Sequence, residues 1–259
     1  MEYISSRTNP LIAHIRKLIG DKGYRRTTGE MVCEGPKMLE EALRWGVTLT
    51  ALVQTEDALP TKSLPEGLRR VIVPEDLLTW LSHTQTPQKL LFLCKIPSHV
   101  KPETLPHGNY LVLEGMQDPG NVGTIWRTAD AFGADGLFLL SHCADPWGPK
   151  TLRASMGACF RLPVWEETEE SLATLLQRSR IPLYATALRE GAEPLGQAKL
   201  EGAAVVIGSE GKGISDHLLS LCERAIKIPM RDRCESLNAA VAASVILWEM
   251  AKRSNDPQV

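Results

Sequence analysis

Aromatic residues make up only 5% of this 259-residue chain, too few for a platform that stacks many bases. Neither sign of charge dominates, since 29 basic against 31 acidic residues leave a formal net charge of −2. A protein that coats nucleic acid by charge alone is far more basic. No apolar run approaches the roughly 18 residues of a bilayer span. The opening Met-Glu-Tyr-Ile-Ser-Ser-Arg lacks a basic stretch followed by an apolar one, so no secretion signal is expected. The cysteines, Cys33, Cys94, Cys143, Cys159, Cys222 and Cys234, include no C-x-x-C pair. That argues against structural zinc, a redox dithiol and a disulfide framework. A reduced, cytoplasmic protein with buried thiols is expected.

What is present is material for a core. Apolar residues make up 43% and charged residues 23% of a 28.5 kDa chain, enough for one large domain or two modest ones. Pro97, Pro102, Pro106 and Gly108 crowd the stretch 97–109 and interrupt periodic structure on both sides, which predicts a linker there. Residues 1–105 hold 14 basic and 12 acidic side chains, and residues 106–259 hold 15 and 19. The basic excess lies at the front, where Arg7, Arg16, Lys17, Lys22, Arg25 and Arg26 face only Glu2 and Asp21. Such a patch can contact phosphates, or can be an ordinary solvated helix surface.

The first part reads as mixed α and β. Ile12, Ile15, Leu18 and Ile19 fall at helical spacing up to Gly20, and a second helix runs from Pro36 towards Gly46. Leu49–Gln54, Val71–Val73 and Leu90–Ile96 read as short strands, with a helix over Glu75–Leu81. The rest alternates strand and helix. Strands are predicted at Tyr110–Leu113, Gly136–Leu140, Pro182–Ala187, Ala203–Ile207 and Ala225–Ile228. Helices are predicted near Asn121–Phe132, Pro149–Ala158, Glu169–Arg178, Asp216–Cys222 and Ser236–Lys252. Short apolar runs between amphipathic helices predict a parallel sheet covered on both faces, with ligands at the carboxyl ends of its strands.

Three of those ends carry polar motifs. After the first strand, Asn121 is a candidate N-cap, Gly123 permits close approach, and Arg127 lies under two turns further on. A later strand runs into Gly208-Ser-Glu-Gly-Lys-Gly213. This loop is neither a Walker A loop, because Ile214 follows Gly213, nor G-x-G-x-x-G. Glu210 in this turn would repel a phosphate and suits a cationic or hydroxyl-bearing ligand. The last strand gives Ile228-Pro-Met230 and then Ser236-Leu-Asn238, with Ser236 a candidate N-cap and Asn238 in the first turn. Ala239, Ala240, Ala242 and Ala243 permit close packing of the helix that follows. His142, Cys143 and Asp145 tempt as a metal cluster but have no fourth ligand nearby.

Together these segments resemble the signature motifs of the SpoU family of RNA 2′-O-ribose methyltransferases, within the SPOUT superfamily. Asn121, Gly123 and Arg127 match N-x-G-x-x-x-R, Gly208–Gly213 match G-x-E-G-x-G, and Ile228–Met230 with Ser236–Asn238 match I-P-M and S-L-N. Pro149–Gly157 also looks like the family, and the match spans about 110–252. Ser209 departs from it, since many members have Asn there. Residues 1–95, with Glu34-Gly-Pro-Lys37, resemble the ribosomal-protein-like domain that precedes the catalytic domain in many members.

The resemblance implies an α/β fold. A smaller α/β substrate-binding domain (1–96) and the linker (97–109) precede a SPOUT domain (110–259) with a parallel sheet and a trefoil knot. It implies S-adenosyl-L-methionine as methyl donor, held near Thr186, Gly208, Gly213, Ile228, Met230 and Leu237, with no metal. A homodimer is implied as well. The catalytic set would be Arg127, Glu210, Asn121, Ser236 and Asn238. Arg127 would activate the ribose hydroxyl, either as a base or by holding phosphate and developing alkoxide. Glu210 would orient Arg127 or the ribose, Asn121 would position substrate, and Ser236 and Asn238 would hold the loop and RNA. Ribosomal RNA is the expected substrate. The same reaction on tRNA, base methylation, a catalytically inactive RNA-binding homologue and a nucleotide-dependent oxidoreductase are the competing readings.

Overall fold

In the computed structural model, which describes residues 2–58, 63–82, 84, 86–231, 233 and 236–254, Asn9 starts the first helix. Its side chain accepts from Leu11 N at 2.9 Å, and Pro10 supplies the first helical residue of α1 (Pro10–Gly20). Leu11, Ile12, Ile15, Leu18 and Ile19 then share the buried face, each contributing roughly 1.5–3 kcal/mol of burial.

The chain divides into two units. The first comprises residues 1–98 together with 145–161. Its elements after β1 (Glu2–Tyr3) and α1 are α2 (Lys22–Thr28), β2 (Glu30–Glu34), α3 (Pro36–Arg44), β3 (Leu49–Gln54), β4 (Arg69–Ile72), α4 (Glu75–Leu81) and β5 (Leu90–Lys95). The five strands form a mixed sheet in the order β1-β4-β3-β5-β2, with β5 antiparallel to both neighbours.

The second unit comprises residues 99–144 and 162–259. It holds β6 (Tyr110–Leu113), α5 (Pro119–Ala131), β7 (Gly136–Leu139), β8 (Val164–Glu166), α7 (Glu169–Ser179), β9 (Leu183–Thr186), β10 (Glu193–Pro194), β11 (Ala204–Ile207), α8 (Asp216–Leu221), β12 (Arg224–Lys227) and α9 (Ala239–Ser254). The intervening α6 (Pro149–Ser155) belongs to the first unit. The seven strands pair in the order β10-β12-β9-β11-β6-β7-β8, every pair parallel. β6, β9, β11 and β12 are neighbours, so the motif-bearing strand ends stand side by side.

Several expectations change. Within the expected domain 110–259, residues 145–161 pack with residues 1–98. Asp145 binds Arg25, Arg161 pairs with Glu41, and Gly157, at φ +90°, lies against Glu41. Arg25 therefore leaves the basic surface: it is buried, donates to Asp145 Oδ2 at 2.9 Å through Nε, and donates to the Leu18 and Ile19 carbonyls. The helix predicted for Pro149–Ala158 stops at Ser155, where Met156 turns left-handed, and a 3₁₀ turn covers Ala158–Phe160. Among the described residues no helix is long and apolar enough to cross a membrane.

Candidate active site

Asp118, not Asn121, caps α5: its side chain accepts from Gly120 N at 2.8 Å. That shift puts Asn121 inside the first turn with its amide free to reach outward. Asn238, not Ser236, caps α9. Its Oδ1 accepts from Ala240 N at 2.9 Å and Val241 N at 3.2 Å, so it precedes the helix. Ser236 is exposed.

Between these helix starts lies the turn after β11. Ser209 and Gly213 exchange two backbone hydrogen bonds, 3.1 and 2.9 Å, and close a tight hairpin over Glu210, Gly211 and Lys212. Gly208 has no room for a side chain, because a Cβ there would overlap the Gly213 carbonyl. Gly213 itself adopts φ +66°, where glycine pays no Cβ penalty.

The hairpin aims Glu210 at Asn121 in the first turn of α5 and at the Asn238 cap of α9. Its Oε1 accepts from Asn121 Nδ2 at 2.9 Å, Asn238 Nδ2 at 2.8 Å and Ala239 N at 3.2 Å. Asn238 Nδ2 also reaches Asn121 Oδ1 at 3.3 Å. One carboxylate oxygen thus ties together the three motifs. Arg127 is not part of this knot of hydrogen bonds. It is exposed on α5 and makes no hydrogen bond or ion pair among the described residues.

A cavity of about 650 Å³ opens beside the cluster at the ends of β6, β7 and β11. Asn121, Glu210 and Gly213 line it, together with Glu114, His142, Glu169 and Ser215. Glu114 is buried at the end of β6 and accepts from Ser215 N at 2.9 Å, pinning the far side of the glycine turn. Burial, with the charge of Glu114 beside it, pushes the Glu169 carboxyl above the ordinary glutamate value. Neither glutamate is among the candidates from sequence. The usable signal is a charged residue directly after a buried strand, as Glu114 follows Tyr110–Leu113. His142 sits in the left-handed region at φ +62°. Cys143 donates its thiol to the Leu113 carbonyl, and Asp145 is paired with Arg25. Among the described residues no three metal-ligating side chains converge.

The residues expected around a cofactor fall on three adjacent strands. Thr186 ends β9 and donates its hydroxyl to the Val206 carbonyl at 2.8 Å, Gly208 follows β11, and Ile228–Met230 follow β12. Leu237 is half-buried just before the Asn238 cap.

A parallel α/β sheet with a glycine hairpin and two asparagine-bearing helix starts gathered on one glutamate defines a ligand-binding α/β domain joined to a second unit. Residues 108–248 match the model of the SpoU rRNA methylase family, and residues 9–91 match an MRM3-like substrate binding domain. The chain belongs to the SpoU rRNA methylase family. It is 32% identical over 251 residues to the 23S rRNA (guanosine(2553)-2′-O)-methyltransferase RlmP of Bacillus subtilis, covering 96% of this chain and 99% of that protein. The AdoMet-bound rRNA methyltransferase from Sinorhizobium meliloti superimposes with a TM-score of 0.85 at 29% identity, over 98% of each chain. The SpoU methyltransferase AviRb from Streptomyces viridochromogenes, in complex with AdoMet, gives 0.81 at 25% identity, over 96% of this chain and 100% of that one.

Proposed function

We propose that this chain methylates a ribose 2′-hydroxyl of ribosomal RNA, with S-adenosylmethionine as donor, and works as a cytoplasmic homodimer. The observation that carries the reading is the Glu210 oxygen shared by Asn121, Asn238 and the start of α9. Relatives over nearly the whole chain are named as rRNA 2′-O-methyltransferases of guanosine and of uridine, and related structures hold AdoMet.

The strand ends fit such a cofactor. Thr186, Gly208, Gly213, Ile228, Met230 and Leu237 would hold it largely through backbone, since Gly208 leaves bare main chain where a side chain cannot stand. When bound, S-adenosylmethionine would supply an electrophilic methyl carbon on a sulfonium: the ribose oxygen would bond to that carbon, the C–S electron pair would return to sulfur as a neutral thioether, and the hydroxyl proton would pass to water. The protein must align the oxygen with that carbon, a contribution of about 7–11 kcal/mol. Glu210 fixes the amides of Asn121 and Asn238 for this purpose, and Ser236 holds the loop ahead of them. A guanidinium keeps its proton at any ordinary pH. Arg127, exposed and without an acidic partner, suits holding phosphate and developing alkoxide rather than accepting the proton.

Two further parts of the reading have support. α9 carries the exposed Val241 and Trp248 seven residues apart, hence on one face, and Phe132 packs edge-on to Trp248 at 5.8 Å. That face suits a second copy of the chain. β12 enters the sheet between β9 and β10 although β11 intervenes in sequence, a strand order compatible with the knotted segment.

The test is transfer of labelled methyl from S-adenosylmethionine to unmodified rRNA and tRNA, with nucleoside mass spectrometry of the product. A 2′-O-methyl nucleoside in rRNA is expected. A base-methylated product, or transfer confined to tRNA, would overturn the assignment.

A further inference from the structure

The basic front of the chain survives the loss of Arg25 in an unusual form. The Trp80 ring of α4 is contacted by two guanidiniums. Arg7 Cζ is 4.9 Å from the ring centroid and Arg16 Cζ is 4.5 Å from it. Beside Arg16 on α1, Lys17 Nζ stands 5.5 Å from the Tyr24 ring. Among the described residues none of these three cations has an acidic partner. Arg16 makes one weak bond, to the Trp80 carbonyl at 3.4 Å, and Arg7 and Lys17 are exposed. Two other exposed cations of the unit, Arg69 and Lys89, are instead neutralised by Glu2 and Asp57.

Each guanidinium lies over the Trp80 ring, and apart from the weak Arg16 bond to the Trp80 carbonyl its N–H donors stay available. A flat, oriented, charged fork with free N–H groups is suited to a phosphodiester oxygen pair. Arginine and aromatic faces in alternation also receive unstacked bases. The chain as a whole is acidic, so the concentration of unpaired positive charge around one tryptophan is a local feature.

We infer that Arg7, Trp80, Arg16 and Lys17 form a docking surface for the sugar–phosphate backbone of the RNA substrate. This rests on the methyltransferase reading for the identity of the RNA, but the surface lies in the first unit and requires none of the catalytic candidates. It sets substrate affinity and leaves the chemical step alone.

The full-length protein is compared with the Arg7→Ala/Arg16→Ala variant, using an unmodified 23S rRNA transcript as probe and Arg69→Ala as the control for an exposed, paired cation. Affinity is measured by fluorescence anisotropy from 50 to 200 mM salt. Loss of two phosphate contacts should lower the slope of log K against log salt by about 1.4–1.8. KM for RNA should rise at least about 10-fold, as expected for lost uniform binding. The kcat at saturating RNA and the Kd for S-adenosylmethionine should stay within twofold. The single variant Arg7→Ala, outside any helix, should show about half the slope change even if the double variant unfolds. A slope and affinity equal to those of Arg69→Ala would overturn the docking surface while leaving the methyltransferase reading intact. Conversely, Arg7-dependent RNA binding with no methyl transfer by the unaltered protein would sink the enzymatic reading and leave the surface standing.

Discussion

Asn238 Nδ2 donates to Glu210 Oε1 at 2.8 Å while Asn238 Oδ1 caps α9. One side chain therefore fixes a helix start and a catalytic candidate at once. Its register is set by the helix, and the carboxylate is set by the register.

Glu210→Ala removes the acceptor of three donors. With each bond to a charged group contributing about 1.5–3 kcal/mol, methyl transfer should fall at least about 100-fold, and Glu210→Gln should fall less because its amide oxygen still accepts. Single-turnover rates with rRNA give the comparison. Equal rates for Glu210→Ala and the unaltered enzyme would remove Glu210 from the mechanism.

Arg127→Ala should abolish transfer, by about 100-fold or more, with the Kd for S-adenosylmethionine unchanged. Because the side chain is exposed and unpaired among the described residues, unfolding free energy should move by no more than about 0.5 kcal/mol. Calorimetric titration and urea denaturation check both. A parallel loss of cofactor binding would make Arg127 a structural residue.

Gly208→Ala forces a methyl into the Gly213 carbonyl and should weaken S-adenosylmethionine binding at least about 10-fold, as an overlap cost above 1.4 kcal/mol requires. Gly211→Ala, with nothing within 4 Å of the new methyl, serves as the partner measurement. Equal affinities for the two would show that the hairpin does not shape the cofactor site.

Arg25→Ala leaves Asp145 charged and largely buried, its side chain 14% exposed, and should cost about 3–5 kcal/mol in unfolding free energy. A drop below about 1 kcal/mol in a urea titration would mean that solvent already reaches the pair.

Glu169 makes one contribution to the pH dependence of stability. Its native pKa is raised by burial and by Glu114, so the folded state binds its proton more tightly than the unfolded chain does. This contribution to stability is fully present below the ordinary glutamate value and is lost as pH rises through the elevated native one. Glu169→Gln should therefore raise Tm at pH 7 and show no gain at pH 3.5. A gain independent of pH would assign the effect to packing.

The sequence marks long or strongly patterned elements well. Leu49–Gln54, Glu75–Leu81 and Tyr110–Leu113 have the same ends in the fold. It misses β2, where Met31-Val-Cys33 is too short a run between two glutamates to show a period, and the two-residue edge strands β1 and β10, which exist only through their neighbours. Asn121, Glu210 and Asn238 are each visible as polar residues at strand ends, but their shared oxygen is not. Both Ser236 and Asn238 have side chains able to cap, and the sequence reading places the cap at Ser236 with Asn238 in the first turn. The choice is made by Glu210, 28 positions away. The partner of Arg25 lies 120 residues off, and no local pattern announces an ion pair of that reach.

The segment 145–161 has a consequence for how such a chain can be recombined. It is encoded between β7 and β8, yet its Leu152, Ala158, Cys159 and Phe160 are buried in the first unit. A crossover that exchanged residues 1–98 with those of another gene would inherit a foreign partner for Asp145 and Arg161. The heritable module is therefore discontinuous: a new first unit must bring its own stretch of the second coding region, and both pieces must arrive together.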